Sequence, residues 1–170
     1  GQKSRAHQYL FLNRRFIVHR TISHAIFSGY EHLLLKVHSK PMIESVKHTR
    51  DYEAALYSAG GTVQAAGEIH RGSIDNAFVF TAFGDHHAGR DFYHGMCYFN
   101  GAALAVAMLR EKGIRRFAIL DTDSHHGDGT RDIFRKDAGV LHVCFCDQNY
   151  SDQNNKIDIQ IPNPTTDEAY

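Results

Sequence analysis

The stretch Arg116-Phe117-Ala118-Ile119-Leu120-Asp121-Thr122-Asp123-Ser124-His125-His126-Gly127-Asp128-Gly129 holds the key to the chain. Its first five residues, Arg116–Leu120, form a short apolar run, as a buried parallel strand requires. That run passes without a break into a loop with three acids and two histidines within eight residues. Ligands of open α/β sheets bind beyond the carboxyl ends of the strands, so a polar loop there marks a candidate site. Asp123 and His125 stand two apart, and in extended backbone their side chains share one face. A carboxylate beside an imidazole suits a divalent transition metal such as zinc. The bland alternative is a solvated acidic loop with glycine turns.

Working outward, the same strand-then-polar-loop pattern occurs upstream. Ala77–Phe83 (AFVFTAF) reads as a second buried parallel strand, and Gly84-Asp85-His86-His87-Ala88 follows it. Paired imidazoles suit general acid–base work, because they titrate near neutral pH. Taken alone, they read as surface histidines. Val140–Phe145 (VLHVCF) is a third strand, and Lys156–Ile161 (KIDIQI) alternates like a half-exposed one. Cys97–Lys112 is expected to be a helix ending at Gly113. Tyr52–Arg71 is a further helix despite Gly60-Gly61 and Gly67, and Thr21–Lys36 is another. Tyr9–Val18, rich in aromatic and β-branched residues, reads as a strand. Strands alternating with helices predict an α/β fold with a mainly parallel sheet flanked by helices. The strands before His86-His87 and before Asp123/His125 are expected to be neighbours, which would bring both clusters to one edge.

The bulk numbers narrow the function classes. Among 170 residues, 19 Lys+Arg balance 19 Asp+Glu, so charge alone points to no nucleic-acid or membrane partner. No apolar run approaches the ~20 residues that span a bilayer, and Gly1–Arg5 lacks the apolar stretch of a signal peptide. Three cysteines make no even disulfide framework, so a reducing cytoplasm is expected.

Three motifs occur in register over about forty-five residues: Gly84-Asp85-His86-His87-Ala88, Gly95-Met96-Cys97-Tyr98-Phe99-Asn100, and Asp121-x-Asp123-x-His125-His126-Gly127-Asp128-Gly129. In this order and spacing, residues 36–170 resemble the N-terminal half of the catalytic domain in the histone deacetylase and acetoin-utilisation superfamily. The likeness is closer to prokaryotic deacetylase-like proteins than to eukaryotic histone deacetylases. It implies an arginase/deacetylase-like α/β fold, incomplete in this chain. It also implies a zinc-dependent hydrolase that removes an acetyl group from lysine or a small amine. On that resemblance Asp123 and His125 would be two of three zinc ligands. His87 would be the general base, held by Asp128, and His86 its electrostatic or acid partner, held by Asp121. Gly95 and Met96 would line the substrate channel. Asp121, Asp123 and the His125 carbonyl would lie near a structural K+.

The chain departs from the family pattern in several places. The third zinc ligand and a transition-state-stabilising Tyr or His are implied to lie beyond residue 170, which leaves open whether this chain is an enzyme. A non-catalytic fragment or chimera with weak metal binding is the alternative. Met96 stands where many members have Phe, but remains apolar and adaptable. Cys144 stands where a Ser usually serves the monovalent cation, and a thiol suits that hard ion poorly. A binuclear arginase-like site wants a further Asp where this chain has Gly127. Residues 1–35 resemble instead a strand–helix piece of MutL-type mismatch-repair proteins, without their ATPase motifs. Cys144-x-Cys146 reads as packing thiols rather than a redox or metal pair, and His142 as a satisfied core or edge histidine.

Overall fold

The computed structural model describes residues 30–162 and 166, together with the backbone of two short strands nearer the N-terminus. These are β1 (Leu10–Leu12) and β2 (Arg15–Ile17), which pair antiparallel. Within the single strand expected over Tyr9–Val18, the described residues form two short antiparallel strands instead. The likeness to MutL-type proteins falls largely outside the described residues.

Five helices follow, beginning with α1 (Glu31–Val37) and α2 (Lys40–Lys47). Most of the helix expected over Thr21–Lys36 lies outside the described residues. Ser39 starts α2 by accepting a hydrogen bond from the Met42 N–H. The long helix α3 (Tyr52–His70) runs through Gly60-Gly61 without interruption. Ala55, Ala59 and Val63 are buried along it, and it packs on α4 (Gly101–Glu111). Small residues let the two backbones approach, which offsets the low helix propensity of glycine. α4 starts four residues later than the apolar pattern suggests. Asn100 caps it, its side-chain oxygen accepting from the Ala103 N–H at 2.9 Å. At its end Gly113 adopts φ +91°, and the Ile114 N–H returns to the Leu109 carbonyl in a Schellman arrangement.

The sheet is built from β3 (Phe117–Asp121), β4 (Val140–Cys146), β5 (Tyr150–Ser151) and β6 (Lys156–Gln160), in the order β3-β4-β6-β5. β3 pairs with β4 and β4 with β6 in parallel, while β5 runs antiparallel to β6. The expected α/β class with a mainly parallel sheet flanked by helices is what the chain adopts. Helix α5 (Asp128–Phe134) connects β3 to β4.

Two expectations are corrected. Ala77–Phe83 is not a strand: its backbone joins no ladder among the described residues. The Ala82 and Phe83 N–H groups donate to Ser58 Oγ instead, and Phe78 and Phe80 are about half exposed. An apolar run becomes a buried strand only where neighbours pair with it, and among the described residues the outer edge of β3 pairs with no strand either. The two polar clusters thus do not meet through adjacent strands. β6 also inverts the expected pattern, burying Lys156 and Asp158 while Ile159 is exposed. Lys156 tolerates burial because its ammonium donates to the carbonyls of Asp137, Val140 and Asn154.

Candidate active site

The clusters are joined by loops. Gly129, in the first turn of α5, crosses the backbone of Ala88 so closely that a Cβ there would lie 2.5 Å from Ala88 N and C. Beside this crossing, the Thr130 N–H donates to the His86 carbonyl at 3.0 Å. The buried Asn100 amide donates to both the Ala88 carbonyl and Thr130 Oγ1. One residue thus caps α4 and fastens the His86-His87 loop to α5.

This joint sets two His–Asp pairs side by side. His86 Nδ1 lies 2.9 Å from Asp121 Oδ2, and His87 Nδ1 lies 2.6 Å from Asp128 Oδ1. The two imidazole centroids are 4.1 Å apart. The Asp121 hydrogen bond raises the His86 pKa above its ordinary value, against the opposing effect of burial. A carboxylate on Nδ1 fixes each imidazole tautomer and turns Nε2 toward the open side.

Asp123 and His125 lie on that side and are largely exposed. His125 Nδ1 is 2.9 Å from Asp123 Oδ1, which also accepts the His125 backbone N–H. Partial burial works to raise the Asp123 pKa, but the two His125 hydrogen bonds bring it below the usual value. His86 Nε2 lies 3.9 Å from the same carboxylate. The donor types suit zinc, and the two donor atoms converge. Among the described residues, the groups of three or more donors that could close on an ion are His87/His94/Asp128 and His126/Cys144/Cys146/Asp158, and neither contains Asp123 or His125.

Gly95 and Met96 both adopt positive φ, at 56° and 60°. A Cβ on Gly95 would fall 2.6 Å from the His87 ring, so only glycine lets this loop pass the imidazole. Met96, 69 % exposed, holds this strained conformation although it is not glycine. Cys144 donates weakly to the His125 carbonyl, at 3.9 Å, the same carbonyl implied to serve K+.

Comparison with known proteins gives the same reading by another route. The family model "Histone deacetylase domain" matches residues 43–154. The chain belongs to the histone deacetylase domain family. It is 41% identical over 92 residues to a "Probable deacetylase" of Archaeoglobus fulgidus, covering 54% of this chain and 26% of that protein. It is 44% identical over 87 residues to "Acetylpolyamine amidohydrolase 1" of Pseudomonas aeruginosa, covering 51% of this chain and 25% of that one. A crystal structure of the HDA15 HD domain superposes with a TM-score of 0.68 at 25% identity, over 76% of this chain and 45% of that chain. The chain therefore spans about a quarter of these curated relatives' length.

Several residues of this deacetylase-family site escape a reading of the sequence. His94 stacks on His87 at 4.4 Å between centroids and reaches Asp128 Oδ2 at 2.8 Å, so Asp128 holds two imidazoles. Its place beside Gly95 in the second motif is the one available signal. His38 carries no motif at all, and Asn100, although it ends the second motif, has no assigned role there. His142 is only half satisfied: Arg131 donates to Nδ1 at 3.3 Å, while the buried Nε2 has no hydrogen-bond partner among the described residues.

Proposed function

We propose that this chain carries the acid–base side of a zinc-dependent amide hydrolase that removes an acetyl group from a lysine side chain or a small amine. The carrying observation is the pair of His–Asp dyads, His86–Asp121 and His87–Asp128, packed ring against ring beside Asp123 and His125. The names of the relatives, which include acetylpolyamine amidohydrolases and a "Polyamine deacetylase", support the acetylated-amine class.

Asp123 and His125 would hold the zinc together with a third donor, and the metal would supply carbonyl polarisation and a more acidic water. His87, with Nδ1 committed to Asp128, accepts the proton of the attacking water at Nε2. His86, whose proton is favoured by Asp121, delivers one to the leaving amine. Gly95 and Met96 border the acyl-amine side chain. A K+ beside Asp121, Asp123 and the His125 carbonyl would brace the loop, although the Cys144 thiol suits it poorly. We place this chemistry in the cytoplasm, in keeping with three free, buried cysteines.

The test is a graft of residues 43–154 into the Archaeoglobus fulgidus relative, assayed on an acetyl-lysine peptide and on an acetylpolyamine. We expect zinc-dependent turnover that a chelator abolishes. His87→Ala should lower kcat by about 10²–10⁴-fold. A folded, zinc-loaded graft without turnover on either substrate refutes the proposal.

A second reading, a non-catalytic fragment with weak metal binding, is favoured by one observation. Asp123 and His125 find no third donor among the described residues, whereas catalytic zinc sites normally supply three protein ligands.

A further inference from the structure

Behind the acid–base site, on the covered face of the sheet, four side chains of metal-ligand type converge. Alternation along β4 puts Cys144 and Cys146 on one face, both fully buried. The parallel register sets Asp158 of β6 opposite Cys144, and Asp158 is only 5 % exposed. His126 completes the group from the loop after β3. It turns inward, while its neighbour His125 turns out. One ligand atom from each of the four lies within 4.8 Å of the others.

We propose that His126, Cys144, Cys146 and Asp158 form a structural zinc site, separate from Asp123 and His125. The spacing suits a tetrahedral ion. Zinc bonds of about 2.3 Å to sulfur and 2.0–2.1 Å to nitrogen set a tetrahedral S···N edge of roughly 3.6 Å. His126 Nδ1 lies 3.6 Å from Cys146 Sγ and 3.7 Å from Asp158 Oδ1. Two thiolates select zinc over harder ions such as Mg2+ or Ca2+. Four protein donors leave no open position, as in structural rather than catalytic sites.

The charge also balances. Zinc entry expels the two thiol protons, leaving two thiolates and one carboxylate around a divalent cation, with one net negative charge. The Arg131 guanidinium, already paired with Asp158, supplies the matching positive charge. Arg131 holds the same Oδ1 that faces His126, so metal entry would turn the carboxylate to divide its two oxygens between the guanidinium and the ion. The site would clamp the loop from Asp121 to Asp128 to β4 and β6 and so hold His125 and Asp128 in place. The protein's own contacts to this loop from the sulfur side are weak: the Gly127 N–H to Cys144 Sγ at 3.3 Å, the Cys144 thiol to the His125 carbonyl, and Cys146 Sγ against His126 Nδ1 at 3.6 Å.

Cobalt titration of the reduced 170-residue chain tests the proposal, with Co2+ as the probe and a phosphine reductant present. One equivalent should produce the thiolate-to-cobalt charge-transfer band and the strong visible bands of tetrahedral cobalt, and zinc should bleach both. The Asp123→Ala/His125→Ala double variant should keep the signal, which separates this site from the proposed catalytic one. Cys146→Ser should lose the charge-transfer band or weaken it severely, and the half-buried His126→Gln should bind at least tenfold more weakly. A folded wild-type chain with no thiolate band, or a band of undiminished intensity in Cys146→Ser, overturns the proposal. So does a signal that disappears with Asp123 and His125.

Discussion

His38 shows how one buried residue can report on the whole domain. Its Nδ1–H donates to the Gly89 carbonyl at 2.7 Å and its Nε2 accepts from the Asn100 N–H at 3.1 Å, so only the neutral ring fits. Burial lowers its pKa to about 4, the Gly89 bond opposes this, and Arg90 adds to the lowering. The unfolded chain takes up this proton near pH 6.5. Stability from His38 is therefore complete above pH 6.5 and is lost as pH falls toward 4. Acidification from pH 7 to 5 should cost about 2 kcal/mol through this residue. Asp85 works the other way, its pKa raised to about 6 by burial. Because Asp85 is common to both proteins, urea midpoints of wild type and His38→Gln at the two pH values isolate the histidine. The variant should be less stable at pH 7 and lose less on acidification. Equal losses in both would show that His38 carries no proton linkage.

At the scale of elements, the junction of α5 with the 86–89 loop decides whether the two dyads face each other. Gly129 gives this junction a test in which propensity and packing disagree in sign. Within a helix, Gly→Ala should stabilise by up to about 1 kcal/mol. Here the new methyl would meet the Ala88 backbone at 2.5 Å, and backbone cannot swing aside as a flexible side chain can. Overpacking of this kind costs roughly 1–3 kcal/mol, so packing should win and Gly129→Ala should be destabilised by about 1–2 kcal/mol in urea unfolding. A stabilised variant would mean that the crossing is looser than described. The displacement would also break the Thr130 to His86 hydrogen bond, so in the graft the same change should reduce turnover.

For the molecule as a whole, the two faces of the sheet are unequally covered. One carries Val140, His142, Cys144, Lys156 and Asp158, all buried. The other presents Leu120, Leu141 and Ile159, which remain 63 %, 36 % and 39 % exposed among the described residues. Parallel sheets are normally covered on both faces, and a contiguous apolar patch favours association. The purified chain should therefore self-associate with rising concentration in sedimentation velocity. Leu120→Lys with Ile159→Lys should shift it toward monomer without loss of helical signal. A wild-type chain that stays monomeric across the range would mean that this face is covered by residues outside those described.

The sequence alone determined the family and most regular elements. Three motifs in register identified the family. The strands before Asp121 and before Asp147, and the helices from Tyr52 and after Asn100, follow from local periodicity, capping and punctuation. These signals lie within a few residues of one another, so they can be read along the chain. Tertiary structure decided everything that depends on what lies opposite. Ala77–Phe83 has the composition of a buried strand but joins no ladder among the described residues, and composition cannot supply an edge to pair with. Lys156 and Asp158 are buried because carbonyls and Arg131 await them from other segments, which alternation in KIDIQI reverses rather than reveals. His94 reaches Asp128, and His126 meets Cys144, Cys146 and Asp158, across gaps of between 18 and 34 residues. Such contacts depend on register and loop crossing, which are properties of the packed chain and leave no local trace in its sequence.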